Sequence, residues 1–402
     1  QFAKQAYPLV DKAGNLQASG HAIQVRLYAE DPNKDFQPNA GLLSHVAWPT
    51  EAELGLPTAE QLRIDHWIES GVEVSPFFDP MLAKVQYHAA DRDSAIAGLA
   101  KALQACQVYG IEHNLAYLKQ LLTLPALEQG TLLTSSLNSF AYRPSTMDVL
   151  SAGTQTTIQD YPARKGYWDI GVPPSGPMDA QSFQLLNQLL GNPSDAAGLE
   201  ITLQGPTLKF NQDSLVAVGG ADIEISLDGQ SRAMWQVFKV SAGQSLALGK
   251  VSDAGARAYL AVGGGIQCPE YLGSKSTFTL GQFGGHAGRA LRTGDVLQLP
   301  EAKQVNTIDD FLLGRELQQK PQITQQWNIH VIYGPHGAPD FFSDQVIEQF
   351  FAATWKVHFN SSRTGVRLIG PKPEWARSDG GEAGLHPSNI HDNAYAVGSI
   401  DF

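Results

Sequence analysis

The rhythm of apolar and polar positions changes near residue 148. Before that point, strand-like and helix-like periods are mixed. His21 to Tyr28 partly alternates through Ala22-Ile23-Gln24-Val25-Arg26-Leu27, which predicts a strand, and Asp31-Pro32-Asn33 predicts a turn. A helix is expected between Ser94 as cap and Gly110 as stop, because Ile96, Leu99, Leu103 and Cys106 recur on one face. Leu115 to Leu124 predicts a second helix, closed by Pro125. Polar Gly-Thr and Ser-Ser pairs then lead to Arg143-Pro144-Ser145, read as a boundary.

After Asp148, short apolar runs recur between turn pairs: Leu208 to Phe210, Val216 to Gly220, Ile223 to Ile225, Arg257 to Gly263. That spacing predicts a mainly β domain, a barrel or sandwich. Within it only Ala180 to Leu190 predicts a helix, with Phe183, Leu186 and Leu190 on one side. The expected fold is therefore multidomain: an α+β region over 1–142, a linker at 143–147, and a mainly β, barrel-like domain over 148–402. The opening residues carry no Met and no leader pattern, and the end falls inside a strand-like run. The chain reads as a piece cut at both ends.

Composition narrows the function classes. With 28 Lys and Arg against 40 Asp and Glu, the net charge is −12, and no basic run is present. A nucleic-acid partner is not expected. The hydrophobic share of 43% is ordinary, and no apolar run reaches the ~18 residues of a membrane span, so no membrane partner is expected either. Cys106 and Cys268 alone cannot build a disulfide framework or a Cys-rich metal site, and they suit a cytoplasmic setting.

Two groups of motifs then carry a resemblance. Gly20-His21-Ala22-Ile23-Gln24-Val25-Arg26-Leu27-Tyr28-Ala29-Glu30-Asp31-Pro32, Phe36 to Gly41, and Pro76-Phe77-Phe78-Asp79-Pro80-Met81-Leu82-Ala83-Lys84 closely resemble the C-terminal region of biotin carboxylases, of the ATP-grasp class. The resemblance implies that Arg26 faces the active site and stabilises the enolate formed when biotin gives up a proton. A permanently charged fork suits bicarbonate or a developing oxyanion. Without the motif, Arg26 would read as a strand-edge surface residue. Asp79 reads as a turn cap and Lys84 as a solvated residue, architectural before catalytic.

The second group comprises Thr156 to Asp160, Gly171 to Asp179, Glu200 to Pro206, Gly263 to Ile266, Leu272 to Thr277 and Ser361 to Leu368. It resembles the KipA-like domain family, which forms one half of the carboxyltransferase in urea carboxylases and has a stand-alone relative in bacterial 5-oxoprolinase. Gly263-Gly264-Gly265 lacks the Lys-Ser/Thr of a phosphate loop. Asp179 reads first as the cap of the helix at Ala180, and second as a site residue. Arg363 and Arg367, four apart on a presumed strand, would face the same way and could bind a carboxylate. His386, Ser388 and Asn389, with His391 and Asp392, read as a loop shaping the substrate pocket, without metal spacing. His286 and His336 read as turn residues. By resemblance Asp401 lines the substrate pocket, where urea-type relatives carry Asn and oxoprolinase-type relatives Gln. An ionised Asp offers acceptors only, which suits guanidinium better than urea. Its other reading is a strand end, or a partner of Arg363 or Arg367.

Taken together, the resemblance implies part of a biotin-dependent carboxylase of the urea carboxylase type. It would pass a carboxyl group from carboxybiotin to a nitrogen of urea or guanidine. Biotin, ATP, Mg2+ and bicarbonate are implied, with the ATP-grasp core, biotin carrier domain and KipI-like second half outside this chain. Assembly into a homo-oligomer stays open. The alternatives are a 5-oxoprolinase-type ATP-dependent hydrolase component and a non-catalytic KipA-like binding protein, neither of which has a use for carboxybiotin.

Overall fold

The computed structural model describes residues 19–57, 60–301, 312–378, 383–384, 386–391 and 398–400. It divides into two compact units, Gln1–Tyr167 with Pro173–Ile323, and Trp168–Val172 with Thr324–Phe402.

The first part of the larger unit is built on a three-stranded antiparallel sheet. Met81–Ala89 lies at its centre, flanked by His21–Tyr28 and Gln61–His66. Val85, Tyr87 and Ala89 point into the core while Lys84, Gln86 and His88 alternate outward, the period of a half-buried strand. Helix Arg92–Ala105 covers the inner face with Ile96, Leu99 and Leu103. Gly98 is required at this contact, because a Cβ there would meet the Tyr87 ring at 2.1 Å. Both expected helix ends move. The cap is Asp91, whose carboxylate accepts from the Ser94 amide, so Ser94 sits inside the first turn. The stop is Cys106 in extended geometry, and Gly110 instead follows the short strand Gln107–Tyr109. The second helix ends at Leu121, and Pro125 opens a further turn, Pro125–Glu128, rather than closing one. A proline at the first helical position loses no hydrogen bond.

The chain then crosses to the β region. Gln120 holds Arg143 at both backbone atoms, donating to its carbonyl at 2.7 Å and accepting from its amide at 3.1 Å. Thr146 and Met147, expected in the linker, already open strand Thr146–Ser151, where Met147 is fully buried.

Among the described residues, eleven strands of this region form two antiparallel sheets. The first runs Gln230–Ser231, Ile223–Leu227, Ser245–Val251, Thr207–Phe210, Thr146–Ser151, Val296–Gln298. The second runs Gln155–Gln159, Gly198–Thr202, Arg257–Val262, Ser214–Gly220, Phe238–Val240. They share one core, with Met147, Leu208, Phe210 and Ile225 from the first and Leu199, Ile201, Val218 and Leu260 from the second. Helix Ala180–Leu189 covers the outer face of the second sheet, packing Phe183 and Leu186 against Ala217, Tyr259 and Ala261. Along Arg257–Val262, alternate residues therefore serve two cores, which explains the unbroken apolar run. Among the described residues neither sheet closes on itself. The expected barrel-like domain is an open sandwich with a helical layer.

The smaller unit, taken by itself, contains helix Asp344–Ala352, capped by Ser343, and a two-stranded hairpin pairing Lys356–Val357 with Leu368–Ile369. Phe341 and Val346 are its buried apolar side chains among those described.

Candidate functional site

Arg26 stands on the outer face of the three-stranded sheet, opposite Lys84, which in turn lies opposite Asp65. The face is polar and open. Arg63 bonds Asp65 at 3.0 Å, Gln86 bonds its other oxygen at 3.0 Å, and Lys84 lies 3.9 Å from it. Arg26 is left exposed beside this row. Its backbone is fixed by Asn114, which donates to the Arg26 carbonyl at 3.2 Å and accepts from the Tyr28 amide at 2.9 Å. Sequence reasoning missed Asn114. The only available signal was a polar triplet, Glu112-His113-Asn114, placed before a helix. Asp79 accepts from the Met81 amide at 2.8 Å, the turn-capping geometry expected.

A second cluster is built where Gly176–Asp179 meets the five-stranded sheet. Ser175 and Gly176 both take positive φ, and a Cβ on Gly176 would sit 2.7 Å from Ala163. The Gly176 amide donates to Gln159 at 3.0 Å, the Met178 amide to Glu200 at 2.7 Å, and the Asp179 amide to the Tyr259 hydroxyl at 2.7 Å. Tyr259 in turn donates to Glu200 at 3.2 Å. Burial and the adjoining Glu200 carboxylate push the Tyr259 phenol well up, so it stays a neutral donor. Asp179 itself caps helix Ala180–Leu189, accepting from the Ser182 amide at 3.0 Å.

Beside it, Asp160 accepts from Ser274 at 2.6 Å, Ser276 at 2.5 Å and the Lys275 amide at 2.7 Å. Arg164, only 1% exposed, donates to the Tyr271 and Ser276 carbonyls at 3.1 Å each and lies over the Phe283 ring. Burial lowers the Arg164 guanidinium from its ordinary value. Together these residues strap loop Leu272 to Thr277 onto the sheet. Gln159, Asp160, Arg164, Glu200 and Tyr259 had no assigned role from sequence, although three of them lie in or beside the quoted motifs.

In the smaller unit, Arg363 and Arg367 do not share a strand. The Ser362 amide donates to the Gly365 carbonyl at 3.0 Å, turning the chain between them, and the strand begins only at Leu368. Thr364-Gly365 supplies that turn. His386, Ser388 and Asn389 are brought together. The Ser388 amide donates to His386 Nδ1 at 3.2 Å, so that nitrogen is an acceptor and the Ser388 hydroxyl at 2.7 Å is its second donor. Asn389 donates to the Gly384 carbonyl at 2.5 Å, and the Trp375 ring packs edge-on to His386. His391 is exposed. Asp392 and Asp401 lie outside the described residues. Of the two turn histidines, His286 lies 3.4 Å from Asp295, which Arg289 also grips, and His336 packs on Phe341.

Chemically, the open sheet face presents the permanently charged Arg26 guanidinium, a group that suits an oxyanion. Among the described residues no three His, Cys, Asp or Glu converge to hold a metal ion, so no ligand for Mg2+ is assigned here. Among them, too, no helix is long and apolar enough to cross a membrane.

Two family models match this chain. The carboxyltransferase domain, subdomain A and B, covers residues 170–402, and the biotin carboxylase C-terminal domain covers 24–139. The chain belongs to the carboxyltransferase domain family. It corresponds to the region of urea amidolyases and urea carboxylases in which a biotin carboxylase C-terminal domain precedes the carboxyltransferase. Urea amidolyase of Saccharomyces cerevisiae is 46% identical over 391 residues, which are 96% of this chain and 21% of that protein. The crystal structure of the Kluyveromyces lactis urea carboxylase superimposes with a TM-score of 0.84 at 44% identity, over 97% of this chain and 34% of that one. One of the subunits of Escherichia coli 5-oxoprolinase is 34% identical over 226 residues, 56% of this chain and 68% of its own length. The chain thus spans about a fifth of the length of the urea amidolyase it matches.

Proposed function

We propose that this chain is part of an ATP- and biotin-dependent carboxylase that places a carboxyl group on a nitrogen of urea or guanidine. One observation carries the proposal. A single stretch of similarity to urea amidolyase runs through both the biotin carboxylase portion and the carboxyltransferase portion, over 96% of the chain. The oxoprolinase relative shares only 226 residues with it, and a lactam-opening or purely binding protein has no use for the Arg26 face. Biotin supplies the nitrogen that carries the carboxyl group between the two portions. Arg26 would hold an oxyanion on the open face, and Asn114 would keep it in register. Arg363, Arg367, His386, Ser388 and Asn389 would bind substrate, while Asp179 orders the helix behind the Gly176 loop. A biotin carrier domain, an ATP-grasp core and a second carboxyltransferase half complete the enzyme.

Within this reading the substrate is guanidine before urea. Asp401 supports it, because a carboxylate matches the paired N–H groups of guanidinium in two parallel bonds. Urea and guanidine are compared as substrates with the intact polypeptide, its Asp401→Asn variant and its Arg26→Lys variant. Loss of about 3 kcal/mol of oxyanion stabilisation, roughly a hundredfold in rate, is expected for biotin-dependent ATP cleavage in Arg26→Lys. Unchanged turnover in that variant removes Arg26 from the mechanism. A urea preference that Asp401→Asn leaves untouched removes Asp401 from specificity.

A further inference from the structure

A cavity of about 520 Å³ lies within the larger unit, away from the Arg26 face, where the segment 104–120 meets loops of the β region. Its volume is in the range of metabolite sites. One wall comes from helix Leu115–Leu121 and the strand before it, and the other from residues around Asn192, Gly264 and Gln298.

Its lining carries two formal charges, the Lys119 ammonium and the exposed Glu301 carboxylate. Lys119 is the only Lys or Arg among the lining residues. It makes no ion pair or hydrogen bond with any described residue, and burial lowers its ammonium from the ordinary value. Burial pushes the Cys106 thiol up to about 11, so it is not a thiolate near neutrality. His113 is neutral and satisfied, facing the Val108 carbonyl at 2.8 Å through Nε2 and accepting from the Leu115 amide at Nδ1. Glu301, exposed and also lining the cavity, acts on Lys119 through its charge but forms no ion pair with it. Gln104, Gln298 and Tyr109 also line the cavity without a side-chain hydrogen bond among the described residues. A partly buried ammonium without a close ion-pair partner is costly, and an anion offsets that cost.

We propose that this cavity binds a small organic oxyanion, a carboxylate or a phosphoryl group, with Lys119 as its counter-ion. Tyr109, Gln104 and Gln298 donate to the rest of the molecule. Since both walls contribute, an occupant couples the biotin carboxylase portion to the β region. The site is separate from the proposed reaction and does not depend on it.

The test uses the intact polypeptide and a neutral acylating ester, with Lys119 and the exposed Lys356 followed by peptide mass spectrometry. Citrate, inorganic phosphate and chloride are compared at matched ionic strength. Saturable slowing of Lys119 acylation by fivefold or more, with Lys356 unaffected, is the expected result. Slowing by citrate alone identifies a carboxylate ligand, and slowing by phosphate alone a phosphoryl ligand. Equal rates in all three salts overturn the proposal. The melting temperature gives a second readout: the effective anion should raise it in the wild type and not in Lys119→Met. An equal rise in both also overturns it.

Discussion

A glutamine in place of Glu112 should make this chain more stable, by a margin that widens as pH rises. Glu112 is 5% exposed, and its Oε2 has no hydrogen-bond partner among the described residues. Asp31 from the first region and Asp148 from the β region press negative charge toward it, while Lys34 is engaged with Asp31 at 2.9 Å. Tyr142, the nearby phenol, is also unpartnered among the described residues. Burial first, then these two carboxylates, push Glu112 up to about 8 from its ordinary 4.5. The folded chain therefore holds a proton that the unfolded chain has lost throughout that interval. Stability is undiminished below the lower value, falls as pH rises, and reaches its full penalty above the upper one. At about 1.4 kcal/mol per pH unit, with relaxation and water entry discounted, the loss is on the order of 3 kcal/mol. Glutamine keeps the shape and cannot ionise. Equilibrium denaturation of both proteins at about pH 4, 7 and 8.5 should give nearly equal stabilities at the lowest pH and a gap of about 2–3 kcal/mol at the highest. A gap that does not change with pH, or a variant that is weaker at pH 8.5, would refute the buried neutral carboxyl.

Three further substitutions probe the frame around the proposed site. Asp160→Asn leaves one acceptor for donors from Ser274, Ser276 and Lys275; a loss of about 2 kcal/mol is expected by denaturation, with earlier proteolysis in the 271–285 loop. Asn114→Ala removes both bonds to the Arg26 strand, so the Tyr28 amide should exchange with solvent at least tenfold faster. Gly98→Ala drives a methyl into the Tyr87 ring and should cost about 1–3 kcal/mol in thermal or urea unfolding.

The sequence made the larger architecture readable where one physical rule governed. Period-two alternation exposed the strand with Arg26, and the 3.6-residue period exposed the helix of Ile96, Leu99 and Leu103. It failed where two rules competed. Asp91 and Ser94 can each cap a helix, and only the folded chain shows the carboxylate taking that place while Ser94 bonds to it. Arg363 and Arg367 fit a strand by spacing, yet Gly365 between them favours a turn, and the turn prevails. The barrel-like expectation rested on short regular strands, which a sandwich also supplies; which strands share a sheet is a matter of long-range pairing. Residues with no local pattern stayed hidden. Arg164 is a charged residue at the centre of a polar strap, and nothing near it in sequence marks it as buried.

The position of Arg26 is set from a distance, through three consecutive side chains with different tasks. Glu112 is buried toward the β region, within reach of Asp148. His113 closes the corner, with both ring nitrogens bonded to backbone. Asn114 reaches back across 88 residues to the carbonyl of Arg26 and holds the neighbouring amide of Tyr28. A charge on Glu112 would favour withdrawal of this corner toward water, and the Asn114 clamp would move with it. Among the described residues the exposed guanidinium itself has no buried partner to resist that movement. Its precision is therefore borrowed from the packing of residues 112–114 against the β region. On this geometry the contact with the carboxyltransferase portion is part of what shapes the Arg26 face.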